Sequence, residues 1–308
     1  MDGWILAFDF GGTKLSAALL PLAALSESQP TWTAQRRVFS PANGDARDDL
    51  QTMIRLGHEL LAGRKATAVG VSFGGPVDAA AGMVRLSHHV PGWENAPLQA
   101  LLAAEFAAPV RIDNDANTAA LGEWRFGAGR GVADLLYITV STGVGGGWVL
   151  NGRPWRGHQS MAGEIGHMVV DPGGPLCLCG KRGCVERLAS GPYMAQDYNA
   201  QRPNADAPIT GELVARLAAQ GDETAVRILR RGAWALGVGI GNAANLMNPQ
   251  LFVLGGGVTK SGELWWDVVR QTARATALPE VAVTIVPAAL QDDAPLWGAV
   301  ALAYRIYD

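Results

Sequence analysis

The chain is poor in cysteine, in charge and in long apolar runs. It has three cysteines in 308 residues, so a disulfide would leave one over. Charged residues make up 17% and the net charge is −3, which argues against a nucleic-acid-binding surface. No apolar run reaches the roughly 20 residues that a membrane-spanning helix needs. The start of the chain has no basic segment and no cleavage site before Trp4-Ile5-Leu6-Ala7-Phe8-Asp9, so no signal peptide is expected. Reduced thiols fit the cytosol, and the expected location is cytoplasmic. The Walker pattern Gly-x-x-x-x-Gly-Lys-Ser/Thr is missing too. Glycine is in excess instead, at 39 residues, against an average of roughly 7%. Much of it follows apolar runs, where backbone without a side chain can approach a ligand. The length suggests two domains or one large one, and 48% hydrophobic residues supply ample core.

The three cysteines fall within eight residues, Cys177, Cys179 and Cys184, with His167 ten positions upstream. Three thiolates and one imidazole make a closed tetrahedral zinc site, with no position left for a reacting water. A structural Zn²⁺ is therefore expected. Gly180 and Gly183 let the backbone turn back around it.

Periodicity predicts an alternation of strands and helices, hence an α/β protein. Strands are expected at 5–10, 15–20, 68–73, 83–86, 110–113, 135–140, 147–150, 251–254 and 281–286. Helices are expected at 45–63, 97–108, 116–125, 222–247, 262–277 and 295–307, the fourth with a possible break near Gly237–Gly241. Residues 201–208 read as a loop. A strand, a Gly/Thr turn and a return strand occur twice, about 130 residues apart, which suggests a weak internal duplication.

Asp9-Phe10-Gly11-Gly12-Thr13-Lys14 forms the first turn. Its N–H groups and the Thr13 hydroxyl can meet phosphate oxygens, and Asp9 can hold Mg²⁺ directly or through water. Taken alone, it reads better as an ordinary Gly-Gly hairpin. A second turn, Ser141-Thr142-Gly143-Val144-Gly145-Gly146-Gly147, favours phosphate gripped from both sides. Gly255-Gly256-Gly257 either lets a purine lie against the backbone or merely starts a helix. Asn114-Asp115 stands at a strand-to-helix junction, as a helix cap, a carboxylate at a ligand-binding strand end, or both. Glu164 and His167 share a face, and Glu186 follows the last cysteine by two. These carboxylates either support the metal ligands from outside or are solvent-exposed, or else, with the free nitrogen of His167, they face a polyhydroxyl ligand.

Together these motifs resemble the ROK (repressor, open reading frame, kinase) family, in particular its sugar kinases, nearly end to end. The block Glu-x-Gly-His with Cys-x-Cys-Gly-x-x-Gly-Cys-x-Glu is highly specific. The blocks Asp-x-Gly-Gly-Thr-Lys and Asn-Asp-Ala-Asn are moderately so. The resemblance implies an α/β, two-domain, actin-like (ribonuclease-H-like) ATPase fold with an interdomain cleft. The expected division is 1–113 plus 295–308, a small domain with the first phosphate loop, and 114–294, a large domain with the zinc loop and nucleotide-binding glycines. It further implies ATP-dependent, Mg²⁺-assisted phosphorylation of a hexose, glucose by preference, at the 6-hydroxyl. By motif, Asp115 matches the catalytic base; Gly75, Asn114, Asp115, Glu164, His167 and Glu186 match sugar-binding positions. Asp9, Gly11, Gly12, Thr13, Lys14, Thr142, Gly143, Gly255, Gly256 and Gly257 fall on the ATP side. His167, Cys177, Cys179 and Cys184 match the zinc ligands.

The sequence departs from family glucokinases where Asn-Leu precedes a Gly-Trp pair; here the stretch is Leu86-Ser87-His88-His89-Val90-Pro91-Gly92-Trp93. An N-acetylhexosamine kinase is the alternative. A sugar-responsive transcription regulator is the reading from another class; such regulators carry a helix-turn-helix before the first phosphate loop, where only eight residues precede Asp9. No nucleic-acid or membrane partner is expected, and a homodimer or homotetramer is. ATP and polyphosphate both remain open as phosphoryl donor.

Overall fold

The computed structural model describes residues 3–27, 30–41, 43–87, 89–202 and 208–304. In chain order the elements are β1 (Trp4–Phe10), β2 (Lys14–Pro21), β3 (Ala34–Phe39), α1 (Ala46–Leu61), β4 (Ala68–Phe73), β5 (Val77–Asp78), β6 (Met83–Val84), α2 (Leu98–Phe106), β7 (Val110–Asn114), α3 (Asp115–Phe126), β8 (Leu135–Val140), β9 (Val144–Leu150) and β10 (Arg153–Trp155). They continue with α4 (Val185–Ala189), α5 (Gly191–Asn199), α6 (Gly211–Ala219), α7 (Glu223–Met247), β11 (Leu251–Gly255), α8 (Glu263–Thr276), β12 (Ile285–Pro287) and α9 (Ala294–Tyr304). The chain divides into two compact units. One holds residues 1–130, 154–162 and 292–308; the other holds 131–153 and 163–291. The sequence reading divides the chain after residue 113. In the structure α3 packs extensively on α9, so it stays with the first unit.

In the first unit the sheet order is β3-β2-β1-β4-β7. β1 and β2 form an antiparallel hairpin, while β1, β4 and β7 run parallel. Register places Asp9 beside Ser72 and Ser72 beside Asp113, so the carboxyl ends of the three parallel strands share one edge. That is the edge where open α/β sheets bind ligands. α1 begins at the capping box of Asp45 and Asp48, and turns Met53, Leu56, Leu60 and Leu61 onto the sheet. Trp93 is buried beside Phe10 and Phe73, at ring-centroid distances of 5.6 and 5.1 Å. α9, apolar all round, is buried against α3 and β4, as a helix without a polar face must be.

The second unit has sheet order β10-β9-β8-β11-β12. Again a hairpin, β8–β9, adjoins parallel strands, β8, β11 and β12. The strand pattern of the first unit thus recurs, as the paired glycine turns suggested.

Several expected boundaries move. β9 starts at Val144, not Gly147, so Gly145–Gly147 are strand residues and the turn shrinks to Ser141–Gly143. α7 is continuous through Gly237 and Gly241. A Cβ at Gly237 would lie 2.6 Å from the Thr272 Cβ, and one at Gly241 2.5 Å from the Thr276 Cβ. These glycines let α8 approach closely and do not break the helix. The strand expected at 281–286 is only Ile285–Pro287. The strand expected at 83–86 is Met83–Val84. β3, β10 and α4–α6 have no counterpart in the sequence reading. Most of the loop at 201–208, and the end of the last helix, lie outside the described residues.

Candidate active site

The first unit carries a tight turn between β1 and β2. The Gly11 N–H donates to the Lys14 carbonyl at 3.0 Å, and the Ser40 N–H donates to the Thr13 carbonyl. Thr13 and Lys14 are exposed. Before the turn, Asp9 accepts a hydrogen bond from the Ser72 hydroxyl at 2.7 Å. Its carboxyl is pushed up to about 7, mainly by burial, with further repulsion from Asp115 and Asp293. A carboxylate held where it resists ionising is one that a cation relieves. The His89 ring lies over the turn: a Cβ at Gly12 would meet its Cδ2 at 2.5 Å. His89 is thus an exposed side chain against the glycine turn. His88 lies outside the described residues.

At the end of β7 the chain turns sharply into α3. Asn114 is the helix cap: its side-chain oxygen accepts from the N–H groups of Ala116 and Asn117. Its amide nitrogen donates to the Gly75 carbonyl at 3.0 Å and to Asp115 Oδ1 at 2.8 Å. The Ala116 N–H also donates to Asp115 Oδ1, at 2.8 Å. Asp115 is therefore the first helical residue, with one carboxylate oxygen fixed by two donors. Gly75, Asn114 and Asp115 come together as expected.

Sequence reasoning missed the support beneath this turn. Asp113 is buried and accepts from the Asn114 N–H (2.9 Å), the Asn117 side-chain amide (3.0 Å) and the Arg156 guanidinium (2.6 Å). Arg156 directly follows β10 and belongs to the segment Pro154–Ala162, which packs in the first unit. The signal available was Asp113 itself, a third acidic or amide residue in Asp113-Asn114-Asp115; its partner is 43 residues away.

In the second unit, the turn Ser141–Gly143 is closed by the Ser141 N–H donating to the Gly143 carbonyl at 2.9 Å. Glu186, in the first turn of α4, accepts from the Val144 N–H at 2.9 Å. A Cβ at Gly143 would lie 2.8 Å from the same Glu186 oxygen, so only glycine lets the carboxylate lie so close. Glu186 thus links the helix after Cys184 to the glycine turn. Thr142 lines a cavity of about 830 Å³ with Gly191, Ile209, Ala215 and Gly257. Of the three expected glycines, only Gly257 lines it. Gly255 ends β11 against the Tyr137 hydroxyl, and Gly256 sits at φ +88°, where its absent Cβ would clash with the Val140 carbonyl. The walls from α5 and α6 were not foreseen, since short helices around Ser190-Gly191-Pro192 leave little periodic signal.

His167, Cys177, Cys179 and Cys184 also come together. Their ligand atoms all lie within 4.8 Å of one another. Gly180 (φ +85°) and Gly183 (φ +65°) make the turns between the cysteines. His167 Nδ1 is buried and has no hydrogen-bond partner among the described residues. Burial pushes the Cys184 thiol up to about 12 and raises Cys177, while the Lys181 N–H lowers Cys179. An unpartnered buried nitrogen beside three converging sulfurs fits a tetrahedral thiophilic cation. Glu164 is exposed, at the start of the one-turn helix Ile165–His167 that carries the imidazole.

The chain matches the ROK family over residues 5–306. It belongs to that family. The curated relatives include a glucokinase of Halalkalibacterium halodurans, 36% identical over 91% of this chain and 88% of its own. An N-acetylmannosamine kinase of Citrobacter koseri is 34% identical over 97% of this chain and 98% of its own. A xylose repressor of Caldicellulosiruptor bescii is 29% identical over 75% of this chain and 62% of its own. Among solved structures, a ROK family glucokinase from Streptomyces griseus, in complex with glucose and AMPPNP, superposes with a TM-score of 0.80 at 32% identity, covering 98% of this chain and 100% of that one. The fold is the two-domain actin-like (ribonuclease-H-like) ATPase fold of the family's kinases.

Proposed function

We propose that this chain, a sugar kinase, transfers the γ-phosphoryl group of ATP to the 6-hydroxyl of glucose. The observation that carries the reading is Asp115: it stands at the carboxyl end of β7, with Oδ1 fixed by Asn114 and Ala116. In the proposed mechanism Asn114 and Asp115, with Glu164, His167 and Glu186, hold the hexose hydroxyls. Asp115 accepts the 6-hydroxyl proton as its oxygen attacks phosphorus. Phosphoryl transfer asks mainly for alignment and charge neutralisation, so a weak carboxylate base acting late suffices. The N–H groups of Gly12 and Thr13 in the first turn, and of Thr142 and Gly143 in the second, supply dipoles to the phosphates, and the Thr142–Gly257 cavity takes the nucleoside. Asp9 is the residue to hold Mg²⁺, which when bound neutralises phosphate charge.

This set of one imidazole and three thiols is proposed to bind Zn²⁺, which would cross-link the loop from His167 to Cys184. Holding that loop fixes Glu186 against Val144 and orients Glu164 and His167.

A second reading, an N-acetylhexosamine kinase, is favoured by the N-acetylmannosamine kinase relative. Turnover measured across glucose, mannose, fructose, N-acetylglucosamine and N-acetylmannosamine with Mg-ATP separates the two. The highest kcat/KM is expected with glucose; preference for an N-acetylhexosamine would hand the assignment to the second reading.

A further inference from the structure

The first unit contains a second large cavity, of about 830 Å³, away from the glycine turn. It lies along β7, the edge strand of its sheet. The β5–β6 hairpin and residues 156–161 form its other walls. Its charged and titratable lining is Asp78, Arg85, Arg111, Arg156 and His158, three guanidiniums against one carboxylate. Arg85 is paired with Asp78. Arg156 is paired with buried Asp113. The Arg111 side chain, exposed on β7, has no hydrogen bond or ion pair among the described residues. The same holds for His158. The cavity therefore presents one uncommitted cation, a neighbouring imidazole, and two further guanidiniums with donors in a fork.

We infer that this cavity binds a phosphate monoester, with Arg111 as its principal anchor and a hexose-sized body filling the remainder. Guanidinium forks match the oxygens of a phosphate and favour a dianion over a single carboxylate. The volume is far larger than an inorganic ion requires and falls in the range of organic ligand sites, about 300–1,000 Å³. A hexose 6-phosphate meets both demands; that it is the chain's own product rests on the proposed kinase function. The site has a physical route to catalysis. Arg156 lines the cavity and holds Asp113, which in turn holds the Asn114 N–H and the Asn117 amide. An anion drawing on Arg156 loosens the support of the turn that carries Asp115.

The test is calorimetric titration of glucose 6-phosphate into the full chain, with glucose and a non-hydrolysable ATP analogue already saturating. About one equivalent is expected to bind under those conditions, and inorganic phosphate is expected to compete with it. Arg111→Glu should weaken binding at least about tenfold, the worth of one charge-assisted hydrogen bond. Arg111→Gln should weaken it less, and the surface control Arg36→Gln should not. Should Arg111→Glu fail to fold, Arg111→Gln decides. Binding that vanishes once the catalytic ligands are present, or is unchanged within twofold in the folded Arg111 variants, overturns the inference. Neither arm needs turnover, so a chain inactive on every sugar would refute the kinase reading and leave this test standing.

Discussion

Asp115→Asn is the substitution whose outcome the geometry specifies most closely. In the wild type, Oδ1 accepts from the Asn114 amide at 2.8 Å and from the Ala116 N–H at 2.8 Å. Both partners are donors, so an asparagine must turn its amide oxygen to that side. Its NH₂ then occupies the place of Oδ2, which on the proposed mechanism faces the 6-hydroxyl. A donor that cannot accept a proton replaces the base, with almost no change in shape. Loss of a general base costs typically about 10²- to 10⁴-fold in rate, or about 2.7–5.4 kcal/mol of barrier. Folding should be nearly unaffected, because the helix cap is Asn114 and not Asp115. Glucose affinity should survive within about tenfold, since one amide replaces one carboxylate contact. The assay is ADP release with glucose and Mg-ATP, alongside glucose titration by calorimetry. A kcat within tenfold of wild type would falsify the assignment of Asp115 as base. A loss of both binding and thermal stability would show that its role is to hold the turn.

Four further outcomes are expected. Protein purified without chelator should carry about one zinc per chain; Cys184→Ser should lower both zinc content and melting temperature, because metal binding and loop folding are coupled, and metal analysis finding none would refute this. Arg156→Gln leaves the buried Asp113 carboxylate without its cation; loss of one partner of a buried pair costs about 3–5 kcal/mol, and Arg156 is partly exposed, so about 2–3 kcal/mol is expected by denaturant unfolding. Asp9 has its pKa raised in the fold from 3.8 to about 7, so the folded state holds the extra proton between these values; stability attributable to Asp9 should fall as pH rises from about 4 to 7, and Asp9→Asn should flatten that part of the melting-temperature profile. His89→Ala should raise the KM for ATP more than the KM for glucose, because the ring lies on Gly12 of the phosphate turn; the reverse pattern would place His89 with the sugar.

What the sequence made legible was local. Strands such as Ala68–Phe73, with apolar residues on both faces, carry their signal within a few residues. The converging His167 and cysteines, and the Asn114–Asp115 junction, were equally readable from residue type and spacing. What was missed depends on partners distant in sequence. β3, Ala-Gln-Arg-Arg-Val-Phe, is a polar edge strand paired only to β2, so it lacks an apolar alternation. Gly237 and Gly241 read as breaks because a glycine facing another helix and a glycine ending one look alike in the sequence. Asp113 and Arg156 meet only after the chain has passed through three strands of the other unit's sheet.

The most direct test of the account is turnover of the purified chain with Mg-ATP and glucose, with the phosphorylated product identified by NMR. Glucose 6-phosphate should form stoichiometrically with ADP, and ATP hydrolysis without sugar should be far slower. Absence of any phosphorylated sugar across glucose, mannose, fructose and the two N-acetylhexosamines would contradict the account.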